Sequence, residues 1–123
     1  MKKNVLVTGC NGFIGAALLK KLSKNKSYNL TGASRSAVNE GVCSVFHVGE
    51  VDGSTDWRHA LKGQSIVIHC SGISVANGND NEMDLFKRIN SDGTTNLAKQ
   101  AAASGASRFI FLSSVKVNGE TTE

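Results

Sequence analysis

With 123 residues, 40% of them apolar and 20% charged, the chain is long enough for one buried core and too short for a cofactor domain plus a substrate domain. No apolar run approaches the roughly 20 residues that span a bilayer, and Met1-Lys2-Lys3-Asn4 runs into Val5-Leu6-Val7 without a cleavage site, which points to a soluble, cytoplasmic protein with no membrane partner. The formal charge of +4 is spread from Lys2 to Lys116 without a basic block, which argues against nucleic acid as a partner. Cys10, Cys43 and Cys70 form no CxxC pair, so neither zinc nor a disulfide framework is expected.

Asn4 to Thr8 is a short apolar run ending at Gly9, the pattern of a strand buried on both faces. From Phe13 to Lys24, Ile14, Ala17, Leu18 and Leu22 recur at helical spacing, with Lys20, Lys21 and Lys24 near the carboxyl end where the helix dipole favours cations. Short strands follow at Asn29 to Ser34 and Ser44 to Val48, then a helical piece at Trp57 to Leu61 in which Trp57 reads as a packing residue. Ser65 to Cys70 is a strong β-branched strand after the turn Gly63-Gln64. A long helix spans Glu82 to Ser104, carries Leu85, Ile89, Leu97 and Ala101 to Ala103, and stops at Gly105. Arg108 to Leu112 reads as a fifth buried strand.

Strands alternating with helices predict the α/β class: a doubly wound parallel sheet, Rossmann-like, of about five strands with helices on both faces. Residues 1–123 are expected to form a single dinucleotide-binding domain. Pro is absent and Gly numbers 13, so turns depend on glycine and Asn or Asp.

The stretch Gly9-Cys10-Asn11-Gly12-Phe13-Ile14-Gly15 lies where strand one meets helix one, so the helix's unpaired N–H groups and positive dipole end face a ligand there. Side chains at the three glycines would obstruct the tight turn, the approach of a pyrophosphate, or the packing of helix on strand. The spacing is GxxGxxG, and its position between a buried strand and an amphipathic helix is what gives it weight. His47, His59 and His69 share no ligand spacing, so no metal is expected. Asp80, Glu82 and Asp84 are explained by dipole complementarity at the start of the long helix.

Thr8-Gly9 through Phe13-Ile14-Gly15 resembles the signature of extended short-chain dehydrogenases/reductases, in particular the NAD-dependent nucleotide-sugar epimerase/dehydratase group. Gly49-Glu50-Val51-Asp52 is similar to the segment whose acidic residue and neighbour contact adenine, and Ile66 to His69 to the strand beneath the nicotinamide ribose. Asn90 with Gly93-Thr94-Thr95-Asn96-Leu97 is similar to the family's Asn-x-x-Gly-Thr-x-Asn-Leu helix. Phe111-Leu112-Ser113-Ser114 with Val117-Asn118-Gly119-Glu120 resembles the strand-five motif usually read as Ser-Ser-x-x-Val-Tyr-Gly. The resemblance implies that Gly9, Asn11, Gly12, Phe13, Ile14, Gly15, Ser34, Arg35, Glu50, Val51, Cys70, Ser71, Gly72, Asn90 and Ser113 bind the cofactor. It implies that Ser114 is the catalytic hydroxyl beneath the sugar.

Three departures from the family pattern shape the reading. The family's Tyr-x-x-x-Lys would fall past Glu123, and the sole tyrosine, Tyr28, precedes strand two, so the 123 residues alone are expected to be a truncated, inactive portion of an enzyme. Ser34 stands near the position where NAD-preferring members carry Asp, and Arg35 can pair with a 2′-phosphate; the cofactor is therefore NAD or NADP, with Arg35 favouring NADP against the family default of NAD. Val115-Lys116 replaces the Asp-Glu of dehydratases, which leaves hydride chemistry at one carbon.

The expected function is the NAD(P)-binding domain of a nucleotide-sugar 4-epimerase, of UDP-glucose or UDP-N-acetylhexosamine type, in surface-polysaccharide synthesis. The alternatives are an NAD(P)H-dependent UDP-4-keto-6-deoxy-sugar reductase and a non-catalytic NAD(P)-sensing module. A homo-oligomer is expected, because a sheet that stops after strand five leaves apolar surface uncovered.

Overall fold

Alternate residues of the first strand enter two different cores. In the computed structural model, which describes residues 2–10, 13–34, 43–48, 51–70 and 80–112, strand β1 (Lys3–Thr8) is buried from Val5 onward. Leu6 joins Ala33, Trp57, Ala60, Leu61, Val67, Leu97 and Ala101 in one cluster. Val5 and Val7 join Cys10, Leu19 and Ile68 in the other. A strand whose two faces both carry apolar side chains can be satisfied only between two layers of helices.

Those layers follow from the element order: β1, helix α1 (Phe13–Leu22), β2 (Tyr28–Ser34), β3 (Ser44–His47), α2 (Arg58–Leu61), β4 (Ile66–His69), α3 (Asp80–Ser104) and β5 (Arg108–Phe111). All strand pairs are parallel and the sheet order is β3-β2-β1-β4-β5. Helix α1 covers the Val5/Val7 face through Leu19, Leu18 and Leu22, whereas α2 and α3 cover the Leu6 face. The expected doubly wound sheet, with helices on both faces, is what the chain forms. Trp57 is fully buried in the second of these layers, as a packing residue.

The structure corrects two expectations. Ile14 and Ala17 do not belong to the buried face of α1: Ile14 is 55% exposed, and the buried stripe runs through Gly15, Leu18, Leu19 and Leu22. A glycine on the inner face is invisible to a count of apolar side chains, which shifts the apparent stripe. Strand β5 is also not buried as its apolar run suggested. Among the described residues it pairs with β4 alone, and Ile110, Phe111 and Leu112 are 37%, 47% and 39% exposed. An apolar run reads alike whether a strand is flanked on two sides or one.

Helix α3 ends as its sequence predicts. Gly105 has φ 93, its N–H donates to Ala102 O at 3.2 Å, and Ala106 N–H reaches back to Ala101 O at 3.1 Å. This pair of bonds is a Schellman cap, which needs a left-handed residue at that point.

Near its middle, α3 grips the loop that follows β3. A Cβ on Gly93 would stand 3.0 Å from Val51 O, so the bare residue lets the helix approach that backbone closely. One turn on, Asn96 Nδ2 donates to Asp52 O at 3.2 Å and Thr55 O at 2.8 Å. Gln100 Nε2 donates to Thr55 O and to Asn96 Oδ1, both at 2.8 Å, while Gln100 Oε1 accepts the Trp57 N–H at 2.9 Å. These side-chain amides satisfy backbone groups that the loop itself pairs at best weakly, as in the 3.5 Å bond from Thr55 N–H to Asp52 O. Asn96→Ala is expected to destabilise the fold by about 1–2 kcal/mol in a urea titration, because Asp52 O keeps only the long 3.5 Å bond from Thr55 N–H and Thr55 O keeps only Gln100.

Candidate functional site

The sheet order reverses direction between β1 and β4, and in open α/β sheets ligands bind outside the carboxyl ends of the strands at such a point. The two strands end side by side, with Thr8 registered against His69. From β1 the chain turns sharply: Gly9 has φ 68, a left-handed conformation that disfavours any side chain, and Cys10 N–H donates to Ala33 O at 3.1 Å. Helix α1 then starts at Phe13 and has no acidic residue in its first turn, so no carboxylate of that turn offsets the positive end of the helix dipole.

Gly15 locks this arrangement. It is buried, and a Cβ built on it would overlap the carbonyl oxygen of Gly9 and stand 3.1 Å from Cys10 Cα. The first turn of the helix therefore lies directly on the backbone of the glycine turn. A concave backbone shape at a helix amino terminus, kept free of side chains, is the geometry that accepts a phosphate.

A side-chain brace lies beneath the turn. Thr8 Oγ1 is 2.7 Å from His69 Nδ1 and accepts the Cys70 N–H at 3.0 Å, which fastens the ends of β1 and β4 together. His69 is 1% exposed and its ring stacks on Phe111, with centroids 5.5 Å apart and planes at 25°. Burial pushes its pKa down to about 4, so the ring is neutral at ordinary pH. His69 thus braces the site from within. The family resemblance implies a place for His69 in the strand beneath the nicotinamide ribose, but nothing local in the sequence points to the Thr8 bond. The one available signal was that both residues close their strands at the same register.

The remaining expected site residues divide by location. Ile14 is exposed beside the turn, Ser34 closes β2 with 1% exposure, and Val51 and Cys70 are half-buried at loop starts. Burial pushes the Cys70 thiol pKa up, as it does for Cys10. Phe13 opens α1 and Asn90 lies within α3. Asn11, Gly12, Arg35, Glu50, Ser71, Gly72, Ser113 and Ser114 lie outside the described residues. Asp52 is occupied locally: its carboxylate accepts from Ser54 N and Ser54 Oγ, both at 2.9 Å, and these bonds hold its pKa below the usual carboxylate range. This leaves Glu50 as the acidic candidate of the segment.

Among the described residues no group of three His, Cys, Asp or Glu side chains could hold a metal ion, and no helix is long and apolar enough to cross a membrane. A cleft of about 580 Å³ is lined by Ser54, Asp56, Arg58, Asn96 and Gln100 rather than by the glycine turn. Its Asp56 and Arg58 are already paired at 2.9 Å, which holds the Asp56 carboxyl below its usual range.

Residues 5–123 match the model of the NAD dependent epimerase/dehydratase family. The chain belongs to this family. It is 44% identical over 124 residues to UDP-glucose 4-epimerase from Vibrio cholerae, an alignment covering 99% of this chain and 38% of that protein. It is 35% identical over 127 residues to a decarboxylating sterol-4-alpha-carboxylate 3-dehydrogenase from Dictyostelium discoideum, covering 96% of this chain and 38% of that one. The chain thus spans about 38% of the length of these relatives.

Solved structures agree with the fold. A short-chain dehydrogenase/reductase superfamily protein from Agrobacterium tumefaciens with bound NAD superimposes with a TM-score of 0.75 at 28% identity, over 97% of this chain and 35% of that one. MoeE5 in complex with UDP-glucose and NAD superimposes with a TM-score of 0.72 at 27% identity, over 90% of this chain and 36% of that one.

Proposed function

We propose that this chain is the NAD(P)-binding part of a nucleotide-sugar 4-epimerase. The observation that carries the reading is the glycine turn at the β1/β4 switch point, with Gly15 pressed on the Gly9 carbonyl and no acidic residue in the first turn of α1. The similarity to a UDP-glucose 4-epimerase and to a structure holding UDP-glucose and NAD supports the substrate class. In this reading the α1 amides and the Gly9–Gly15 backbone hold the pyrophosphate, Glu50 and Val51 approach the adenine, and Asn90 and Ser113 lie toward the nicotinamide. Ser114 is the hydroxyl that meets the sugar's reacting oxygen. Bound nicotinamide supplies reversible hydride transfer at one sugar carbon. The protein's own contribution is a rigid floor, held by the Thr8–His69 bond, that keeps cofactor and sugar in one geometry.

We further propose a cytoplasmic homo-oligomer that serves surface-polysaccharide synthesis on UDP-glucose or UDP-N-acetylhexosamine type substrates. Interconversion of the two C4 epimers by the full-length protein without added cofactor supports the epimerase. A requirement for exchanging NAD(P)H would assign a 4-keto-sugar reductase instead, and cofactor binding with no turnover of any UDP-sugar would assign a sensor.

Cofactor choice is tested separately. With Ser34 where a repelling Asp would stand and Arg35 next in sequence, NADP is expected to bind at least as tightly as NAD in parallel titrations. Tighter binding of NAD would remove the role given to Arg35.

A further inference from the structure

Gly32 lies within β2, between the two strands that flank it, and two sulfur atoms fill the space over its bare Cα. A Cβ placed on Gly32 would meet Cys10 Sγ at 2.8 Å, Cys10 Cβ at 3.0 Å and Cys43 Sγ at 3.5 Å. Cys10 is the residue after Gly9 in the glycine turn, and Cys43 immediately precedes β3. Both pack in the apolar cluster under α1, and no disulfide joins any of the three cysteines. Cys10 is buried, whereas Cys43 is half-buried and so more open to a small solute. Cys70 follows β4, on the other side of β1 from this pair.

We propose that Cys10 and Cys43 are a redox-sensitive thiol pair, which a hydroperoxide converts to a disulfide closing over Gly32 and drawing the glycine turn out of its phosphate-binding shape. The functional half of this proposal rests on the cofactor reading above. In the first step the Cys43 thiolate attacks a peroxide oxygen, the O–O bond breaks, and the released hydroxide or alkoxide takes up the thiol's proton. Cys10 sulfur then attacks the sulfenic sulfur of Cys43: an S–S bond forms, the S–O bond breaks, and the oxygen leaves as water with the Cys10 proton. The two thiols lose two electrons and the peroxide gains them.

The coupling to the turn is geometric. A disulfide holds its sulfurs about 2.05 Å apart and its Cα atoms within roughly 4.4–6.8 Å. Cys10 already lies over β2, its N–H bonded to Ala33 O and its sulfur beside Gly32 together with that of Cys43. Closing the bond draws the residue after Gly9 toward the start of β3, and Gly9 and the amino terminus of α1 follow. Gly32 permits the approach, since a side chain there would stand between the sulfurs.

Trypsin places the three cysteines on separate peptides, 4–20, 36–58 and 63–87, so each pairing of different cysteines has its own mass, and a non-reducing gel separates a bond within one chain from one between two chains. After treatment with graded hydrogen peroxide, the expected result is a 4–20/36–58 cross-link that dithiothreitol reverses and Cys43→Ser abolishes. NAD affinity is expected to fall by about tenfold on oxidation of the wild-type protein and to stay unchanged on oxidation of Cys43→Ser. Absence of that cross-link, pairing to Cys70 or to a second chain instead, or an unchanged NAD affinity with the cross-link formed would overturn the proposal. If the reduced protein fails to bind NAD, the cofactor reading and the coupling fall together, while the peptide map still decides whether the thiols pair.

Discussion

Replacing Gly15 by alanine is expected to weaken NAD binding more than about a hundredfold and to lower stability by about 3 kcal/mol or more. The new Cβ would overlap the Gly9 carbonyl oxygen and crowd Cys10 Cα, and both are backbone atoms that cannot rotate away. Either the turn opens or α1 lifts from the sheet, and each outcome destroys the concave surface over which phosphate oxygens would meet N–H groups. Gly105→Ala is the matched control: φ 93 makes it strained, yet nothing lies within 4 Å of its new Cβ. It is expected to cost about 1 kcal/mol and leave cofactor affinity untouched. Calorimetric titration with NAD and urea denaturation of both variants separate the two effects. Normal NAD binding by Gly15→Ala would mean that the turn is not the pyrophosphate site.

Acidification is expected to loosen the fold between pH 6.5 and 4, because His69 binds a proton more readily when the chain is unfolded. Burial lowers its pKa from 6.5 to about 4 in the folded state, so its contribution is complete above pH 6.5 and is lost as pH falls toward 4. The shift corresponds to a loss on the order of 3 kcal/mol across that window. The bonds that hold Asp52 and Asp56 below the usual carboxylate range place their own losses at lower pH, outside the window. His69→Phe keeps a ring against Phe111 but cannot titrate. It is expected to be less stable than wild type at pH 7.5, since Thr8 Oγ1 loses a partner 2.7 Å away, and nearly flat in stability down to pH 4.5. Denaturation midpoints at several pH values check both parts, and an equally steep decline in the variant would assign the effect to another group.

Much of this architecture is legible in the residues because local and long-range requirements coincide. Val5-Leu6-Val7 and Ile66-Val67-Ile68 are apolar on both faces, and a two-sided core is the one place for them. Gly105 could be read as a helix stop because only a left-handed residue completes that cap. The inner face of α1 is hidden from an apolar count at Gly15, which lies against the glycine turn and contributes no hydrophobicity at all. The exposure of Phe111 depends on sheet order, which no local window contains. The family motif marks Asn96 but nothing local tells what Asn96 or Gln100 binds, since their partners Asp52, Thr55 and Trp57 are about forty positions away. The same is true of the sulfurs over Gly32, which come from Cys10 and Cys43, in segments far apart in sequence.

The pairing of β1 with β4 also sets the order in which the site can come into being. β1, α1 and β2 are neighbours in sequence and can assemble while the chain is short, but Thr8 waits for a partner 61 positions later. During synthesis the glycine turn therefore emerges early and is braced only after β4 has left the ribosome and paired with β1 at the centre of the sheet. Until then Val5 and Val7 have an open flank, and the nascent chain is at its most vulnerable to aggregation and proteolysis.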